Sequence, residues 1–292
     1  MSIQWFPGHM HRARKQIATV MAKVDIVIEV LDARLPGYSE NPMLRELRGD
    51  RPCLKLLNKS DLADPDVTLA WKNFFRREDG IVPLEIVATN PKDTRRVIAL
   101  LPKIGPKRNL IMQPLNCLIL GIPNVGKSTL MNALVGRKVA RAANQAAITT
   151  KQKRVHLNDE ITLYDTPGVL WPKIEDEEAS FMLAGSGAVR ETAMDNAEVA
   201  ARVGDYLLRH YPTLLQVRYK LSDLPENGSL LVAAVGKKRG CLVKGGDVDM
   251  DKAAGILLNE LRAGQIGRIS LEKPPATDDP KNATDSFSQE KS

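Results

Sequence analysis

The segment GIPNVGKS, from Gly121 to Ser128, has the residue types and spacing of a loop that binds phosphate groups. Its glycines allow backbone N–H groups to turn toward phosphate oxygens, and a helix beginning here adds the positive end of its dipole. The Lys127 ammonium can reach the outer phosphates and serve catalysis, and the Ser128 hydroxyl can bind magnesium. A chance match to the four fixed positions is roughly one in a hundred for such a chain. The other predicted nucleotide contacts here are Asn124, Val125, Gly126 and Thr129.

The motif NKSD, at residues 58–61, follows an apolar run and has the chemistry to recognise guanine. The Asp61 carboxylate can accept hydrogen bonds from the ring N–H and the exocyclic amine of guanine, whereas adenine offers no such pair of donors. Asn58 and the stem of Lys59 would brace the loop and cover the base, with Ser60 beside them. Alone, the motif is equally compatible with a polar turn. A phosphate loop in the same chain favours guanine recognition.

A second phosphate-side motif, DTPG at residues 165–168, also ends an apolar run. Asp165 would hold the magnesium shell, and the Gly168 N–H would contact the terminal phosphate. Between the two phosphate-side motifs, AAITTKQKR offers Thr149 as a magnesium ligand that closes over the terminal phosphate. Thr150 and a plain solvated loop are the alternatives for that segment, and a simple strand-to-turn ending is the alternative for DTPG. The order and distance of the motifs favour a magnesium site.

Two further residues, Val87 and Ala88, end another apolar run and can donate a backbone N–H to the guanine carbonyl.

Along the chain, the guanine motif precedes the phosphate loop, whereas ordinary GTPases have the phosphate loop first. Chains tolerate such a rearrangement when the original termini lie close together at the surface. The motif order therefore predicts a circularly permuted P-loop GTPase.

The apolar runs before these motifs predict the strands of an α/β fold. Short β-branched runs alternate with helical patterns up to Asp165, which indicates a mostly parallel sheet, and the periodicity after that residue is helical. We expect a permuted GTPase domain with a basic N-terminal helix over residues 1–172. A smaller helical domain that binds RNA or the ribosome should follow over residues 173–272, and then a disordered tail over residues 273–292.

The composition is that of a globular protein, with 43% hydrophobic and 26% charged residues. No apolar run approaches the length of about 20 residues that spans a membrane, and the first residues do not resemble a secretory signal. Three separated cysteines without a Cys/His cluster indicate reduced thiols, not a metal site. We therefore expect a cytoplasmic protein without a membrane partner.

The net charge of +7 and the grouping of basic residues favour a polyanionic partner, with a plain basic protein as the alternative. The groups are Arg12, Arg14, Lys15 and Lys23; Lys103, Lys107 and Arg108; Lys151, Lys153 and Arg154; and Lys237, Lys238 and Arg239. Arg262 and Arg268 add to the basic character of the helical region.

Several motifs together resemble one protein family. WFPGHM near the start, DAR at 32–34, NKSD, GIPNVGKST, DTPGVLWPK and GRISLE at 267–272 are similar to those of the RbgA/YlqF family of circularly permuted GTPases. The likeness covers residues 3 to about 272. It implies binding of GTP and GDP, GTP hydrolysis, and late maturation of the large ribosomal subunit through contacts with its rRNA. We expect a monomer away from the ribosome and no DNA partner.

The resemblance also assigns the positioning of the attacking water to His9, in WFPGHM. Many GTPases place a glutamine directly after the DTPG glycine, but here that residue is Val169, which cannot orient water. The alternative for His9 is a surface histidine in an RNA-binding segment. Asn124 lies in a PNVGKS context that resembles potassium-activated GTPases. Potassium is therefore expected as a second cation, with a loop-shaping role for Asn124 as the alternative.

Three residues depart from the family pattern. Family members usually have Pro-Gly before the switch threonine, where this chain has Ala146-Ala147, and a polar residue in place of Val87.

A binding module on a nucleotide-fold scaffold and a small-molecule phosphotransferase are the alternative functions. Retention of the phosphate and magnesium residues counts against the scaffold. NKSD and the lack of an obvious lid domain count against the phosphotransferase.

Overall fold

Strands and helices alternate through the first half of the chain, as the sequence predicts. In the computed structural model, the described residues are 17–136, 153–165, 176–188 and 195–276. The strands are β1 (Ile26–Asp32), β2 (Cys53–Asn58), β3 (Ile81–Ile86), β4 (Leu115–Leu120), β5 (Lys153–His156) and β6 (Ile161–Asp165). They form one sheet in the order β3-β2-β1-β4-β6-β5. Neighbours are parallel except for the antiparallel pair β5 and β6, so the mostly parallel sheet is confirmed.

The helices fall into two groups, one between the strands and one after them. The first group is α1 (Pro36–Ser39), α2 (Pro42–Arg48), α3 (Pro65–Phe75), α4 (Pro91–Ile104) and α5 (Lys127–Val135). The second is α6 (Glu177–Ser186), α7 (Asn196–His210), α8 (Pro212–Tyr219), α9 (Gly228–Arg239) and α10 (Met250–Arg262). Caps explain the starts of α3 and α4, because the Asp64 and Asn90 side chains accept backbone N–H bonds and a proline follows each.

The central strand β1 is buried on both faces, which is typical of parallel sheets covered on two sides. Ile28 and Val30 pack into the larger apolar core, on the face that also receives α4 and α5. Val27 packs on the opposite face against residues 17–24, and Leu31 packs there against α3. The sheet is therefore held rigidly, and the loops at the ends of its strands have a fixed base.

The region after β6 is helical in its described parts, as predicted. Phe181, Leu207 and Leu257 belong to one continuous apolar cluster with Ile28 and Ile119 of the sheet. The three domain ranges expected from the sequence stay predictions, since the boundary near residue 172 lies outside the described residues.

The three cysteines are buried and form no disulfide. Within the described ranges, none of the helices has the length and apolarity that crossing a bilayer requires.

Candidate nucleotide-binding site

The predicted nucleotide motifs meet at one edge of the sheet. Asp32, Asn58 and Ile86 end β1, β2 and β3, and their register places Asn58 between the other two. On the other side of β1, Ile119 of β4 lies beside Asp165, the last residue of β6. The carboxyl ends of parallel strands are where α/β folds bind ligands. Residues far apart in the sequence thus converge on a single site.

The phosphate loop requires glycine at two positions. Gly126 has a φ of 102°, and a Cβ there would strike the amide of Asn58. Gly121 has a φ of 150°, and a Cβ there would strike the backbone of β1. The loop then enters α5 at Lys127, whose buried Nζ donates to the Ile122 carbonyl at 2.7 Å. The Lys127 ammonium is therefore held at the mouth of the loop, at the positive end of the α5 dipole.

Asn58 joins the guanine motif to two other loops. Its Nδ2 donates to the Val125 carbonyl at 2.7 Å, and its Oδ1 accepts the Ala88 N–H at 2.9 Å. The neighbouring Val87 N–H is donated to Asp93 Oδ2 at 2.9 Å. Asn58 thus braces the loop, as expected from the sequence. Both N–H groups expected to face guanine are engaged by protein acceptors, so a guanine carbonyl would have to share or displace those bonds.

The rest of the guanine motif surrounds an exposed carboxylate. Ser60 Oγ donates to the Ile86 carbonyl at 3.0 Å, which ties the motif to the end of β3. Asp61, the next residue, is exposed to solvent. Its carboxylate is therefore open to a base, while the backbone before it is held.

Asp32 and Arg34, of the DAR motif at 32–34, form a buried ion pair at the end of β1. The buried Asp32 carboxylate accepts bonds from Arg34 Nε at 2.9 Å, Arg34 Nη2 at 2.8 Å and Lys59 Nζ at 2.8 Å. Burial disfavours the charged carboxylate, but these two cations outweigh it and hold the pKa of Asp32 well below its usual range. Lys59 Nζ also donates to the Asn124 carbonyl at 2.8 Å. The Lys59 ammonium therefore links Asp32 and the guanine motif to the phosphate loop. An acid and a base two residues apart at the end of an apolar run were the available sequence signal.

The phosphate loop is also bonded to the helical region. Asn124 Nδ2 donates to the Gly187 carbonyl at 2.8 Å, and Arg34 Nη2 donates to the Ser186 carbonyl at 3.0 Å. Both carbonyls lie at the C-terminal end of α6, where a helix leaves carbonyls without intrahelical partners. The nucleotide loops and α6 therefore share direct polar contacts.

The two arginines expected to add to the basic character of the helical region also bind backbone carbonyls. Arg262 Nε and Nη2 donate to the carbonyls of Gly185 and Ala184, each at 3.0 Å. Arg268 Nη2 and Nε donate to the carbonyls of Ser60 and Ala63, each at 2.8 Å. Carbonyl groups at a helix end and in a loop offer acceptors that composition does not reveal. These arginines hold the protein together at the places where they bind.

The residues expected to bind magnesium fit that ion as far as they are described. Ser128 is exposed in the first turn of α5, and the strand that ends at Asp165 runs beside β4, which leads into the phosphate loop. Hydroxyl and carboxylate oxygens are the ligands that magnesium prefers. Thr129 is exposed beside Ser128. Three residues of the predicted site, Thr149, Gly168 and His9, lie outside the described residues, as does Val169.

Comparisons with known proteins identify relatives of this chain. A family profile described as 50S ribosome-binding GTPase matches residues 116–219, a range that includes the phosphate loop and DTPG. The protein called ribosome biogenesis GTPase A in Priestia megaterium is 40% identical over 288 residues. That alignment covers 96% of this chain and 100% of the relative.

Two solved structures share the fold over nearly the whole chain. GNP-bound YlqF from T. maritima is 27% identical, with a TM-score of 0.67 over 90% of this chain and 98% of that one. The GDP-bound structure of TM YlqF is 26% identical, with a TM-score of 0.65 over 89% and 99%. The permuted motif order, the sheet and these likenesses agree with one another. The chain is a GTPase that converts GTP to GDP and phosphate, and it belongs to the ribosome biogenesis GTPase A family, RbgA/YlqF.

Proposed function

We propose that this GTPase is a molecular switch in late assembly of the large ribosomal subunit. In its GTP form it binds rRNA, and after hydrolysis it leaves. The observation that carries this proposal is the pair of hydrogen bonds from Asn124 and Arg34 to the end of α6. Displacement of Asn124 within the phosphate loop would break its bond to Gly187, and α6 packs in one core with the other C-terminal helices. Phosphate state would in this way set the orientation of the helical region.

Within the site, each residue has a proposed task. Asp61 reads guanine, and Asn58, Lys59 and Ser60 hold its loop. Val125, Gly126, Lys127, Thr129 and the Gly168 N–H surround the phosphates, with Val87 and Ala88 forming the loop beside the base. Ser128, Thr149 and Asp165 supply oxygen ligands to magnesium, which neutralises phosphate charge when it is bound. Asn124 adds an amide oxygen as a ligand for potassium.

Hydrolysis also needs a group that orients water. We assign that task to His9, because Val169 has no polar atom at the position where many GTPases carry glutamine. The family resemblance places this histidine in WFPGHM.

The helical region carries the basic surface proposed for rRNA. Lys237, Lys238 and Lys244 are exposed at the end of α9 and in the loop before α10. Arg239 is engaged by Glu260 at 2.8 Å, and Arg108 in the linker is engaged by Asp25 at 2.6 Å. Lys238 Nζ donates to the Lys220 carbonyl at 3.1 Å, a neutral acceptor that leaves its charge in place. The three lysines are therefore the better candidates for phosphate contacts, since lysine side chains reach a nucleic-acid backbone from a surface.

Co-sedimentation with purified large subunits tests the proposal. At one salt concentration, the protein with a non-hydrolysable GTP analogue should bind more tightly than the protein with GDP, and large subunits should speed hydrolysis. Reversing the charge of Lys237 and Lys238 together should weaken binding, whereas reversing the exposed pair Arg76 and Arg77 at the end of α3 should not. Equal binding in both nucleotide states, or stimulation by unrelated RNA alone, would refute the switch. We expect the free protein to be a cytoplasmic monomer without DNA or membrane partners.

A further inference from the structure

A segment near the end of the described chain lies against the guanine motif. Arg268 Nη2 donates to the Ser60 carbonyl and Arg268 Nε to the Ala63 carbonyl, each at 2.8 Å. The Ile269 N–H donates to the Leu62 carbonyl at 2.9 Å. The Ser60 and Leu62 carbonyls lie directly before and after Asp61 in the chain, and the Ala63 carbonyl follows. Residues 268–269 therefore hold the backbone on both sides of the carboxylate that is proposed to read guanine.

The same segment is anchored firmly in the protein. Ile269, Ser270 and Leu271 are buried, with at most 1% of their surface exposed. The Leu271 N–H donates to the Arg34 carbonyl at 2.6 Å, and Ser270 Oγ accepts the Asp64 N–H at 3.2 Å. Arg268 itself is exposed, but the residues that follow it are fixed on the sheet. The guanidinium is thus presented to the guanine motif from a rigid base.

The segment is also tied to the helical region. The Tyr211 hydroxyl, at the junction of α7 and α8, accepts the Ser270 N–H at 3.1 Å and donates to Asp64 Oδ2 at 3.3 Å. The backbone of the guanine motif is therefore connected to the junction of α7 and α8 through residues 268–270.

We propose that Arg268 is a positioning residue for guanine recognition and acts on Asp61 through the Ser60 and Ala63 carbonyls. A carboxylate accepts two guanine donors together only when its backbone is held in one orientation, because each bond has a narrow range of distance and angle. The planar fork of a guanidinium fixes two acceptors at once, which a lysine ammonium does less well. This proposal rests on the proposed role of Asp61.

Affinities for GDP and for IDP, which lacks the exocyclic amine, provide the test. In the unchanged protein, GDP should bind about tenfold or more tightly than IDP, because one bond to a charged group is lost with IDP. Arg268→Gln should weaken GDP binding by about tenfold. It should weaken IDP binding much less, so that the preference for GDP falls. The GDP affinity of Arg268→Lys should fall between those of the unchanged protein and Arg268→Gln, since lysine keeps the positive charge but lacks the planar fork.

The matched control is Arg218→Gln. Arg218 donates to Glu260 and to Gln265, each at 2.8 Å, and both partners lie in the helical region. This variant should keep the preference for GDP over IDP unchanged. Equal weakening of GDP and IDP in Arg268→Gln, or no weakening of either, would overturn the positioning role. Loss of subunit binding with an unchanged GDP preference would also overturn it and would assign Arg268 to RNA.

An Asp61→Asn variant, measured in the same way, distinguishes failure of the Arg268 proposal from failure of the proposed role of Asp61. If Asp61→Asn shifts preference from guanine toward xanthine nucleotides, the role of Asp61 stands whatever Arg268 does. If it does not, the failure belongs to the assignment of Asp61.

Discussion

Lys59 and Asn124 share an uncommon backbone conformation and a hydrogen bond. Their φ angles are 62° and 60°, in the left-handed region that non-glycine residues seldom occupy, and Lys59 Nζ donates to the Asn124 carbonyl at 2.8 Å. Such conformations persist where surrounding contacts impose them, and they concentrate at functional sites. Here the strained residues belong to the guanine motif and the phosphate loop. The bond between them sets the separation of the two loops to which a nucleotide must bind at once.

Asp61 should determine the base preference. Replacing Asp61 with Asn exchanges an acceptor for a donor, so xanthine, whose ring carries a carbonyl in place of the amine, becomes the better partner. We expect the ratio of GTP to XTP affinity to fall by at least about tenfold, measured by competition against a fluorescent GDP. A ratio equal to that of the unchanged protein would show that NKSD does not read guanine.

His9 should matter for hydrolysis and not for binding. Removing a group that orients water costs about a hundredfold or more in rate, so His9→Ala should lower kcat by that much while GTP affinity changes less than about twofold. Single-turnover phosphate release and nucleotide titration give the two quantities. His210→Ala, on α7, serves as the control and should change neither. A parallel loss of rate and affinity in His9→Ala would indicate a structural role instead.

Potassium should accelerate hydrolysis relative to sodium at matched ionic strength, on the order of tenfold if a fixed cation stabilises the transition-state charge. Asn124→Asp keeps a side-chain oxygen and tolerates the left-handed backbone, but it loses the donation to Gly187. It should therefore retain the response to potassium, whereas Asn124→Ala should lose it. Equal rates in the two salts with the unchanged protein would exclude a potassium site.

Asp32 should contribute stability that depends on acidity. Because Arg34 and Lys59 lower its pKa in the folded protein, that contribution is complete above the usual aspartate range and is lost as pH falls through and below about 4. Asp32→Asn leaves the buried Arg34 without its counter-ion and should cost about 3 kcal/mol at pH 7. Urea unfolding at pH 7 and pH 3 measures the difference, which should shrink in acid. The exposed Asp79→Asn should behave alike at both pH values.

The parts of the site that could be predicted from the sequence are those encoded within a few neighbouring residues. An apolar run followed by glycines and Lys127 specifies a strand, a turn and the start of a helix. In the same way, an apolar run followed by NKSD specifies the end of β2 and the loop after it. The contacts between such units are not encoded in that way. Asn58 and Val125 are 67 residues apart, and Arg34 and Ser186 are 152 apart. No local periodicity reports which loops meet, because strand order decides it.

The burial of charged residues is a second feature that the sequence pattern does not reveal. Lys55, in the middle of β2, is buried, with its Nζ 2.5 Å from Glu40 and 4.1 Å from the centre of the Phe75 ring. A lysine in a strand usually indicates a face open to solvent. The partners that make its burial tolerable lie in other segments, so a reading of β2 alone could not identify them.

The contacts of Arg268 have a consequence for folding of the chain during translation. Arg268 follows Ser60 by 208 residues, which at ordinary rates of translation is a delay of about 10 to 40 seconds. The sheet strands β1 to β3 and the guanine motif emerge long before the segment that secures that motif. On the proposed role of Arg268, the guanine motif of a nascent chain lacks these hydrogen bonds until Arg268 has been synthesised. Full preference for guanine would then arise only after that residue has left the ribosome.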